Sequence, residues 1–429
     1  MRTAEQVVRE INGRRDSGEK QGLRNTAALL EALHARPACP VIHIAGTNGK
    51  GSVCAMLSSV LSAAGYRTGL YTSPFLQTYR ERIRLNGEPV SEEQLERYGS
   101  ELLDTAERLE AEKGYRFTPF ELGTVLAFHC FREEGAEMIV SETGMGGRLD
   151  STNAVEKPAV CGITAIGMDH MQFLGDTIEQ IAREKAGIFK PGVPAVCCPP
   201  EDEAVREVFL RTAEERGTPL TILDRGQIRP REETARDSSA DFDLGSRVWK
   251  NLRISLPGEH QLLNALTALG ILQKLEEQGI RIPEEAVVRG MGNTFWPGRL
   301  EWHGNLLMDG AHNAQGIEAL RRFTEKHLAG NRIVLLAGVL KEKLTSDMLK
   351  GLCGFAKEAV TVTPDSPRAM KAEELKTLLE GQGMKAMAAD SVREGLEAAR
   401  RLAGEDGIVV AAGSLYFVGE LRSVLGLKA

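Results

Sequence analysis

One short stretch of the chain, His43 to Ser52, strongly limits how its first half can fold. The sequence HIAGTNGKGS follows an apolar run and precedes a helical pattern, so a buried strand, a glycine-rich turn and a helix are expected in that order. Such a turn binds phosphate through backbone N–H groups, and Lys50 adds a full positive charge. The general pattern has Ser or Thr after the lysine, whereas here Gly51 takes that place. The alternative is an ordinary strand-to-helix turn with an exposed lysine.

Apolar strand-like runs alternate with helical periods over the first two-thirds of the chain, as in α/β proteins. Most of the runs are continuously apolar, which is typical of strands buried on both faces of a parallel sheet. They are residues 40–46, 67–73, 136–142, 159–167 and 192–198. Helices are expected between them, for example over 51–64 and 176–188. The polar segment 226–256 is expected to be an exposed excursion with a hairpin.

A second α/β pattern begins after Trp296-Pro297-Gly298, which interrupts regular structure. Its apolar runs are residues 306–310, 332–339, 358–364 and 407–414. The 429 residues are also too many for one ordinary core. We therefore predict an α/β protein with an N-terminal P-loop ATPase-type domain (1–295) containing a mostly parallel sheet, followed by a smaller C-terminal Rossmann-like α/β domain (296–429).

Composition excludes several classes of protein. The net charge of −7 argues against a nucleic-acid partner, and no apolar run is long enough to span a membrane. The charged, helical N-terminal pattern has no secretory apolar region. The seven cysteines are scattered and odd in number, so neither a disulfide framework nor a zinc site is expected. We therefore expect a cytoplasmic protein.

Three polar residues occur where predicted strands end. Ser73 and Glu142 end their runs, and His170 follows the next strand by two residues. Ligands bind beyond the carboxyl ends of strands in an open parallel sheet, so these side chains are candidates to hold a divalent cation beside the phosphate loop. The alternatives are that Ser73 is a cap, that Glu142 pairs with Arg148 and that His170 is a packed core histidine.

Two further loops contain residues suited to binding. The segment 143–153, TGMGGRLDSTN, has three glycines and several polar side chains, although an ordinary polar turn has the same composition. The segment 309–313, DGAHN, places an aspartate, a histidine and an amide at a strand end of the second domain. Its alternative is an Asx turn that caps the next helix.

Ten segments between His43 and Arg422 occur together in one order. They are HIAGTNGKGS, TSPFL, ERIRLNGEPVS, TPFELGTVLAF, TGMGGRLDSTN, ITAIGMDHMQFLGDTIEQIAREKAGIFKPGVP, LPGEHQLLNALTA, WPGRLEW, DGAHNAQG and GSLYFVGELR. Together they resemble the folylpolyglutamate synthase family of the Mur ligase superfamily, including its bifunctional dihydrofolate synthase members. The resemblance implies that ATP phosphorylates the terminal carboxylate of a folate, or of dihydropteroate. The amine of L-glutamate then attacks the acyl phosphate.

The resemblance also implies roles for individual residues. ATP as co-substrate would be bound by Gly49, Lys50, Gly51, Ser52, Asn264, Arg299 and Asp309. Two magnesium ions are implied, with Ser73, Glu142 and His170 as ligands and Lys185, as a carbamate, as a further ligand. Lys50, Lys185 and His312 would act in catalysis. Folate would lie near Arg82, Phe120, Asp150, Ser151, Thr152 and Asn153, and Ser414 would contact the incoming glutamate.

The chain departs from the family pattern at three places. Phe75 replaces a frequent histidine, Ala412 replaces a threonine, and the segment LKEKLTSDM lacks the first aspartate of an expected Asp-Lys-Asp. Either Lys341 or Lys343 would then supply the positive charge of that segment.

Other functions fit the sequence less well. A P-loop kinase or nucleotide switch leaves the second domain without a role, a cell-wall Mur ligase fits the EKAGIFK and GSLYF segments less well, and a non-enzymatic relative would not need the intact site residues. We expect small-molecule substrates only, no membrane partner, and a monomer, because one chain supplies both halves of the site.

Overall fold

The computed structural model describes residues 1–14 and 23–428. The predicted N-terminal helical pattern forms a helix up to Asn12, and its last part lies outside the described residues. The helices are α1 (Ala4–Asn12), α2 (Arg24–Ala32), α3 (Lys50–Ala63), α4 (Glu92–Lys113), α5 (Pro119–Glu133), α6 (Met171–Leu174), α7 (Ile178–Ala186), α8 (Glu203–Arg216), α9 (Glu259–Glu277), α10 (Glu284–Asn293), α11 (Ala314–His327), α12 (Ser346–Cys353), α13 (Ala372–Glu380), α14 (Val392–Ala403) and α15 (Leu415–Val424).

The strands form three sheets. They are β1 (Val41–Ala45), β2 (Thr68–Tyr71), β3 (Ile83–Leu85), β4 (Glu88–Pro89), β5 (Met138–Glu142), β6 (Val160–Ile163), β7 (Ala195–Cys197), β8 (Leu220–Ile222), β9 (Ile228–Glu233), β10 (Ser238–Asp243), β11 (Val248–Ile254), β12 (Glu301–His303), β13 (Leu306–Met308), β14 (Ile333–Ala337), β15 (Glu358–Thr361), β16 (Lys385–Ala388) and β17 (Ile408–Ala412). In the described residues no helix is both long and apolar enough to cross a bilayer.

The first sheet has eight strands in the order β4-β3-β2-β5-β1-β6-β7-β8. The six strands from β2 to β8 are parallel, and β3 and β4 add an antiparallel edge. All five strands predicted for this part of the chain are present, which confirms the mostly parallel sheet. β1 lies at its centre, between β5 and β6, and is buried along its whole length.

Helices cover both faces of the first sheet because alternate side chains of each strand point to opposite faces. Ile42 and Ile44 of β1 pack with α3, α9 and α10, whereas Val41 packs with α1, α2, α4 and α5. Both cores are built mainly from aliphatic side chains. The central strand is therefore fixed from both sides, and so is the loop that follows it.

The segment 226–256 is a three-stranded antiparallel sheet, β9-β10-β11, so the expected hairpin is present and a third strand extends it. It is also not simply exposed. Phe242, Trp249 and Ile254 are buried in the same core as Ile44 of β1. The exposed side of β9 is strongly polar, and that polarity conceals the apolar inner face of the other two strands in the sequence.

The last sheet has six strands in the order β12-β13-β17-β14-β15-β16. The strands from β13 to β16 are parallel, with helices on both faces, which confirms the Rossmann-like α/β prediction. The short strands β12 and β16 were not predicted. The expected division between 295 and 296 falls in the connection from α10 to β12.

Candidate active site

The carboxyl ends of the two parallel sheets border one cavity of about 640 Å³. Residues of both sheets line it, as expected for ligands that bind beyond strand ends. The predicted site residues among its walls are Gly49, Lys50, Gly51, Ser52, Ser73, Arg82, Phe120, Glu142, His170, Lys185, Asn264, Arg299, Asp309, His312 and Ser414. The structure therefore brings together most of the residues that the sequence indicated.

The phosphate loop is held in shape by its glycines and by α9. Gly49 has a φ of 92°, and a Cβ there would lie 2.3 Å from the side-chain oxygen of Asn264. Nζ of Lys50 donates to the carbonyl oxygens of Gly46 (3.1 Å) and Thr47 (3.2 Å). α3 begins at Lys50, so its N-terminal N–H groups face the cavity. The loop thus has the charge and backbone donors that a phosphate chain needs.

Ser52 is turned toward the protein interior. It is almost fully buried, and its Oγ accepts a hydrogen bond from Nε2 of Gln261 at 3.2 Å. Gln261 in turn accepts from Nδ2 of Asn264 at 2.9 Å. These contacts join the start of α3 to α9 directly behind the loop. The contact of Ser52 with ATP stays a prediction.

Glu142 ends β5 with its carboxylate beside the loop. The carboxylate accepts the backbone N–H of Ser73 at 3.2 Å, and burial raises its pKa despite the nearby charge of Lys50. Arg148 pairs with Glu184 at 2.9 Å, so the alternative ion pair with Glu142 is absent. Ser73 itself lies two residues beyond the end of β2, not at the strand end as predicted. Both oxygen donors nevertheless line the same cavity.

His170 precedes the short helix α6 in a left-handed conformation, with a φ of 52°. Its side chain is 39% exposed, which contradicts the alternative of a packed core histidine. Partial desolvation of the ring at the cavity wall lowers its pKa to about 4; Asp169 opposes this shift, whereas Lys343 and Lys50 reinforce it. The imidazole is therefore neutral at pH 7. Within residues 1–14 and 23–428 no group of three His, Cys, Asp or Glu side chains forms a complete metal site.

Lys185 lies in the last turn of α7 and is almost completely buried. Its Nζ donates to the carbonyl oxygen of Gly46 at 2.7 Å, the same oxygen that accepts from Lys50. No carboxylate of the described residues forms an ion pair with it. Burial, and then the charge of Lys50, lower its pKa to about 7. The buried side chain thus loses its proton far more readily than an exposed lysine does, which favours the nucleophilic amine.

Asp169 and Lys343 form an ion pair across the cavity that was not among the predicted site residues. Their charged atoms are 2.5 Å apart, with little exposure of either side chain. Burial acts to raise the pKa of Asp169, but the ammonium of Lys343 outweighs it and lowers the pKa to about 2. Lys341 instead pairs with Glu374. Lys343 is therefore the lysine that reaches the cavity.

The loop after β13 is organised by Asp309. Its two carboxylate oxygens accept the N–H groups of Ala311 (2.8 Å) and Leu300 (2.9 Å). His312 contacts the carbonyl oxygen of Gly310 through Nδ1 at 2.9 Å. Because burial lowers the pKa of His312 to about 4, the ring is neutral, Nδ1 carries the proton and Nε2 is an acceptor.

Asn48 connects the phosphate loop to the second domain. Its side-chain oxygen accepts from Nδ2 of Asn313 at 3.0 Å, and its Nδ2 donates to Gln315 at 2.6 Å. Asn313 also caps α11, because its oxygen accepts the N–H of Gly316. The capping alternative for this loop is therefore correct, and the same side chain joins the two halves of the site.

Arg299 and Ser414 enter the cavity from the second half of the chain. Arg299 follows Gly298, whose φ is 66°, and donates to the Gly298 carbonyl oxygen at 3.0 Å. None of the described carboxylates pairs with it. Ser414 is buried at the start of α15, where its Oγ accepts the N–H of Tyr416 at 3.1 Å. Arg299 is thus a positive charge in the cavity that Lys50 also lines, and Ser414 has a capping role of its own.

An aromatic region of the cavity surrounds Arg82. Its guanidinium lies 5.3 Å from the ring centres of both Phe75 and Tyr79, and its Nε has no hydrogen-bond partner in the described part of the chain. Phe120 packs on Gly144 and lies 6.2 Å from the ring of Tyr71. Phe75, the departure from the family pattern, therefore contacts Arg82 in place of a polar side chain.

Four predicted folate-binding residues do not line the cavity. They are Asp150, Ser151, Thr152 and Asn153, all buried behind it. Asp150 accepts the N–H groups of Gly144, Met145 and Thr152 and the hydroxyl of Thr152. Asn153 donates to backbone oxygens of Arg148 and Gly187. These polar side chains support the glycine-rich loop from within, and the expectation that they lie near the folate stays a prediction.

Comparisons with known proteins agree with this architecture. Residues 44–272 match the Mur ligase middle domain, and residues 298–415 match the Mur ligase glutamate ligase domain. A Bacillus subtilis protein named dihydrofolate synthase/folylpolyglutamate synthase is 37% identical over 99% of this chain and 100% of its own length.

Solved structures share the whole fold. Mycobacterium tuberculosis folylpolyglutamate synthase complexed with ADP has a TM-score of 0.90 at 29% identity, over 99% of this chain and 98% of its own. E. coli FolC in complex with DHPP and ADP has a TM-score of 0.88 at 28% identity, with the same coverage. The chain belongs to the dihydrofolate synthase/folylpolyglutamate synthase family of Mur ligases.

Proposed function

We propose that this protein is an ATP-dependent ligase that joins L-glutamate to the terminal carboxylate of a folate, giving a folylpolyglutamate, ADP and phosphate. The observation that carries the proposal is the contact of the phosphate loop with the glutamate-ligase domain through Asn48, Asn313 and Gln315. A nucleotide held by the loop then faces groups of both domains. A kinase or nucleotide switch would need no such second wall.

The folate as acceptor is supported by the relatives and by the site. The Bacillus subtilis relative carries both activities in its name, and the E. coli structure holds DHPP with ADP. Arg82 has a buried, unpartnered Nε beside aromatic rings, which suits an acceptor with an aromatic body and carboxylates. A bifunctional enzyme that also joins glutamate to dihydropteroate is the alternative.

In the first step, an oxygen of the acceptor carboxylate attacks the γ-phosphorus of ATP, and the bond to the bridging oxygen of ADP breaks. Phosphoryl transfer depends mainly on positioning and on neutralising charge. The loop N–H groups, Lys50 and Arg299 supply both. The product is an acyl phosphate, which hydrolyses if water reaches it. The walls that both domains give the cavity reduce that access.

In the second step, the glutamate amine attacks the acyl carbon, and the tetrahedral intermediate collapses with phosphate as the leaving group. The nitrogen loses a proton as the amide forms, and the departing phosphate takes it up as hydrogen phosphate. His312 is neutral at pH 7, so its Nε2 accepts a hydrogen bond and orients the amine without adding positive charge. Ser414 lies in the same wall and is our candidate for contact with the amino acid.

The donor groups of the site fit magnesium. Ser73 and Glu142 offer oxygen atoms, and His170 offers a neutral imidazole, a less usual magnesium ligand. A carbamate on Lys185 would add oxygen donors for a second ion, and the unprotonated amine that its formation requires is present at neutral pH. Bound magnesium neutralises the phosphate charge during transfer.

We also propose three broader properties. Residues 1–295 and 296–429 are separate domains, supported by two parallel sheets with separate cores. The protein acts as a monomer, because one chain supplies every wall of the cavity. It works in the cytoplasm, since all seven cysteines are free thiols in the structure.

The test is a ligation assay with Mg-ATP, L-glutamate and either tetrahydrofolate or dihydropteroate. We expect phosphate release coupled to a glutamylated product, and product with both acceptors would establish the bifunctional alternative. Lys50→Ala should abolish both signals. ATP turnover that is independent of glutamate, or a stable phosphorylated acceptor, would contradict the ligase assignment.

A further inference from the structure

The indole of Trp296 packs directly against Gly51 of the phosphate loop. A Cβ built on Gly51 would lie 2.7 Å from Nε1, 3.1 Å from Cε2 and 3.3 Å from Cζ2 of the indole. The first distance is shorter than a van der Waals contact permits. The position that carries Ser or Thr in the general phosphate loop is therefore occupied here by a side chain from a distant segment.

Trp296 is fixed from its other sides as well. It packs on the core that contains Val53 and Leu57 of α3. The guanidinium of Arg84 lies 6.0 Å from its ring, within reach of a cation–π contact. Arg84 is buried, its Nε has no partner among the described residues, and burial lowers its pKa. The guanidinium also donates to the carbonyl oxygen of Gly87 at 3.0 Å, and displacement of the ring would expose more of this buried charge.

The same short segment carries Arg299 into the cavity. Pro297 and Gly298 separate Trp296 from Arg299, and the Gly298 carbonyl oxygen accepts both the Arg299 guanidinium at 3.0 Å and the N–H of Gly310 at 2.7 Å. Trp296, Arg299, Gly51 and Glu142 together line a side cavity of about 40 Å³. Trp296 therefore connects the phosphate loop to the segment that carries Arg299, while Gly310 and Asp309 hold the other side of that segment.

We propose that Trp296 is a positioning residue for phosphoryl transfer, which docks the connection between the domains on Gly51 and so sets Arg299 against the phosphate loop. Gly51 is required because any side chain there would displace the indole. This inference rests on the proposed ATP-dependent ligation for its catalytic consequence. The contact with the nucleotide loop itself is testable by binding alone.

The experiment is a double-mutant cycle of Gly51→Ala and Trp296→Leu in the full chain, with ADP affinity measured by calorimetry and kcat by phosphate release. We expect Gly51→Ala to weaken ADP binding about tenfold in the wild-type background and less than about twofold in the Trp296→Leu background, since the methyl group then has room. Trp296→Leu alone should lower kcat more than ADP affinity, because the misplaced Arg299 matters most during transfer.

Trp302→Leu is the matched control. Trp302 is also partly buried near the start of the second sheet, and it contacts the first part of the chain through Ala235, but not the phosphate loop. In the Trp302→Leu background, Gly51→Ala should weaken ADP binding by the same factor as in the wild-type background. Thermal unfolding identifies folded variants, and if Trp296→Leu does not fold, Trp296→Phe, which lacks Nε1, completes the same cycle.

An equal cost of Gly51→Ala with and without the tryptophan would overturn the proposal, as would a Gly51→Ala protein that binds ADP normally. The binding cycle is measured with ADP alone, so its result does not depend on which acceptor the enzyme uses. Failure of this inference is therefore distinguishable from failure of the ligase assignment, which is measured by glutamylated product.

Discussion

Replacing Lys185 by methionine should stabilise the protein while it removes activity. The lysine pKa falls from 10.5 to about 7 on folding. That change corresponds to about 5 kcal/mol of penalty on the charged form. Methionine has a similar length and no charge, so it fits the buried space and avoids this penalty. The variant loses the hydrogen bond to Gly46, worth about 1 kcal/mol, although that oxygen still accepts from Lys50.

The penalty has a definite pH dependence. Below pH 7 the side chain is protonated in both states and the whole cost is present. Between pH 7 and 10.5 the unfolded chain binds one more proton than the folded chain, so wild-type stability rises with pH across this window. We therefore expect Lys185→Met to unfold at a midpoint roughly 5–10 °C above wild type at pH 7. Most of that difference should vanish by pH 9.

The assay is thermal unfolding of wild type and variant in carbonate-free buffer, so that the amine is the species measured. Lys250→Met, on the exposed side of β11, is the control and should show no pH-dependent difference. Ligase activity of Lys185→Met should fall at least about a hundredfold. If Lys185→Met has an unchanged or lower unfolding midpoint at pH 7, or if its difference from wild type does not change with pH, then Lys185 is not a buried amine without a compensating charge.

Three other predictions concern neighbouring groups. His312→Ala should lower kcat about a hundredfold, and because the histidine pKa is about 4 its titration should not appear in wild-type kcat between pH 6 and 8; a midpoint near 6.5 that disappears in the variant would contradict this. Lys343→Met should reduce kcat/KM about tenfold, and Asp169→Asn should add little in that background; additive losses in steady-state kinetics would show that the two do not act as a pair. Asp150→Ala should lower the free energy of unfolding by about 2–4 kcal/mol, because four donors lose their acceptor; an unchanged thermal midpoint would contradict that support role.

The sequence predicted the parts of the fold that depend on local pattern. Continuous apolar runs identified β1, β5 and β6, and the rule that ligands bind beyond strand ends brought Glu142 and His170 to one cavity. The same rule indicates Asp169, which adjoins His170. The sequence around a single carboxylate, however, does not show which lysine forms an ion pair with it. Lys343 and Lys341 could not be distinguished, because the turn of a short loop decides which lysine faces inward.

Polar residues that face the interior are harder to interpret from sequence. Asp150 and Asn153 have the composition of a binding loop, yet they satisfy buried backbone groups. Whether a polar side chain points to the cavity or away from it depends on contacts far along the chain. The contact of Trp296 with Gly51 spans two segments that no periodicity relates. The unusual glycine at position 51 is visible in the sequence, but the indole contact that explains it is not.

The hydrogen bonds of Asn48 with Asn313 and Gln315 have a consequence for the order of events in turnover. They link closure of the two domains to binding of nucleotide in the phosphate loop. When nucleotide and a second substrate both favour the closed arrangement, each raises the affinity of the site for the other by the same factor. We therefore expect substrates to retain one another in the cavity and ADP to leave as these side chains separate. On this reasoning the contact slows product release more than bond formation.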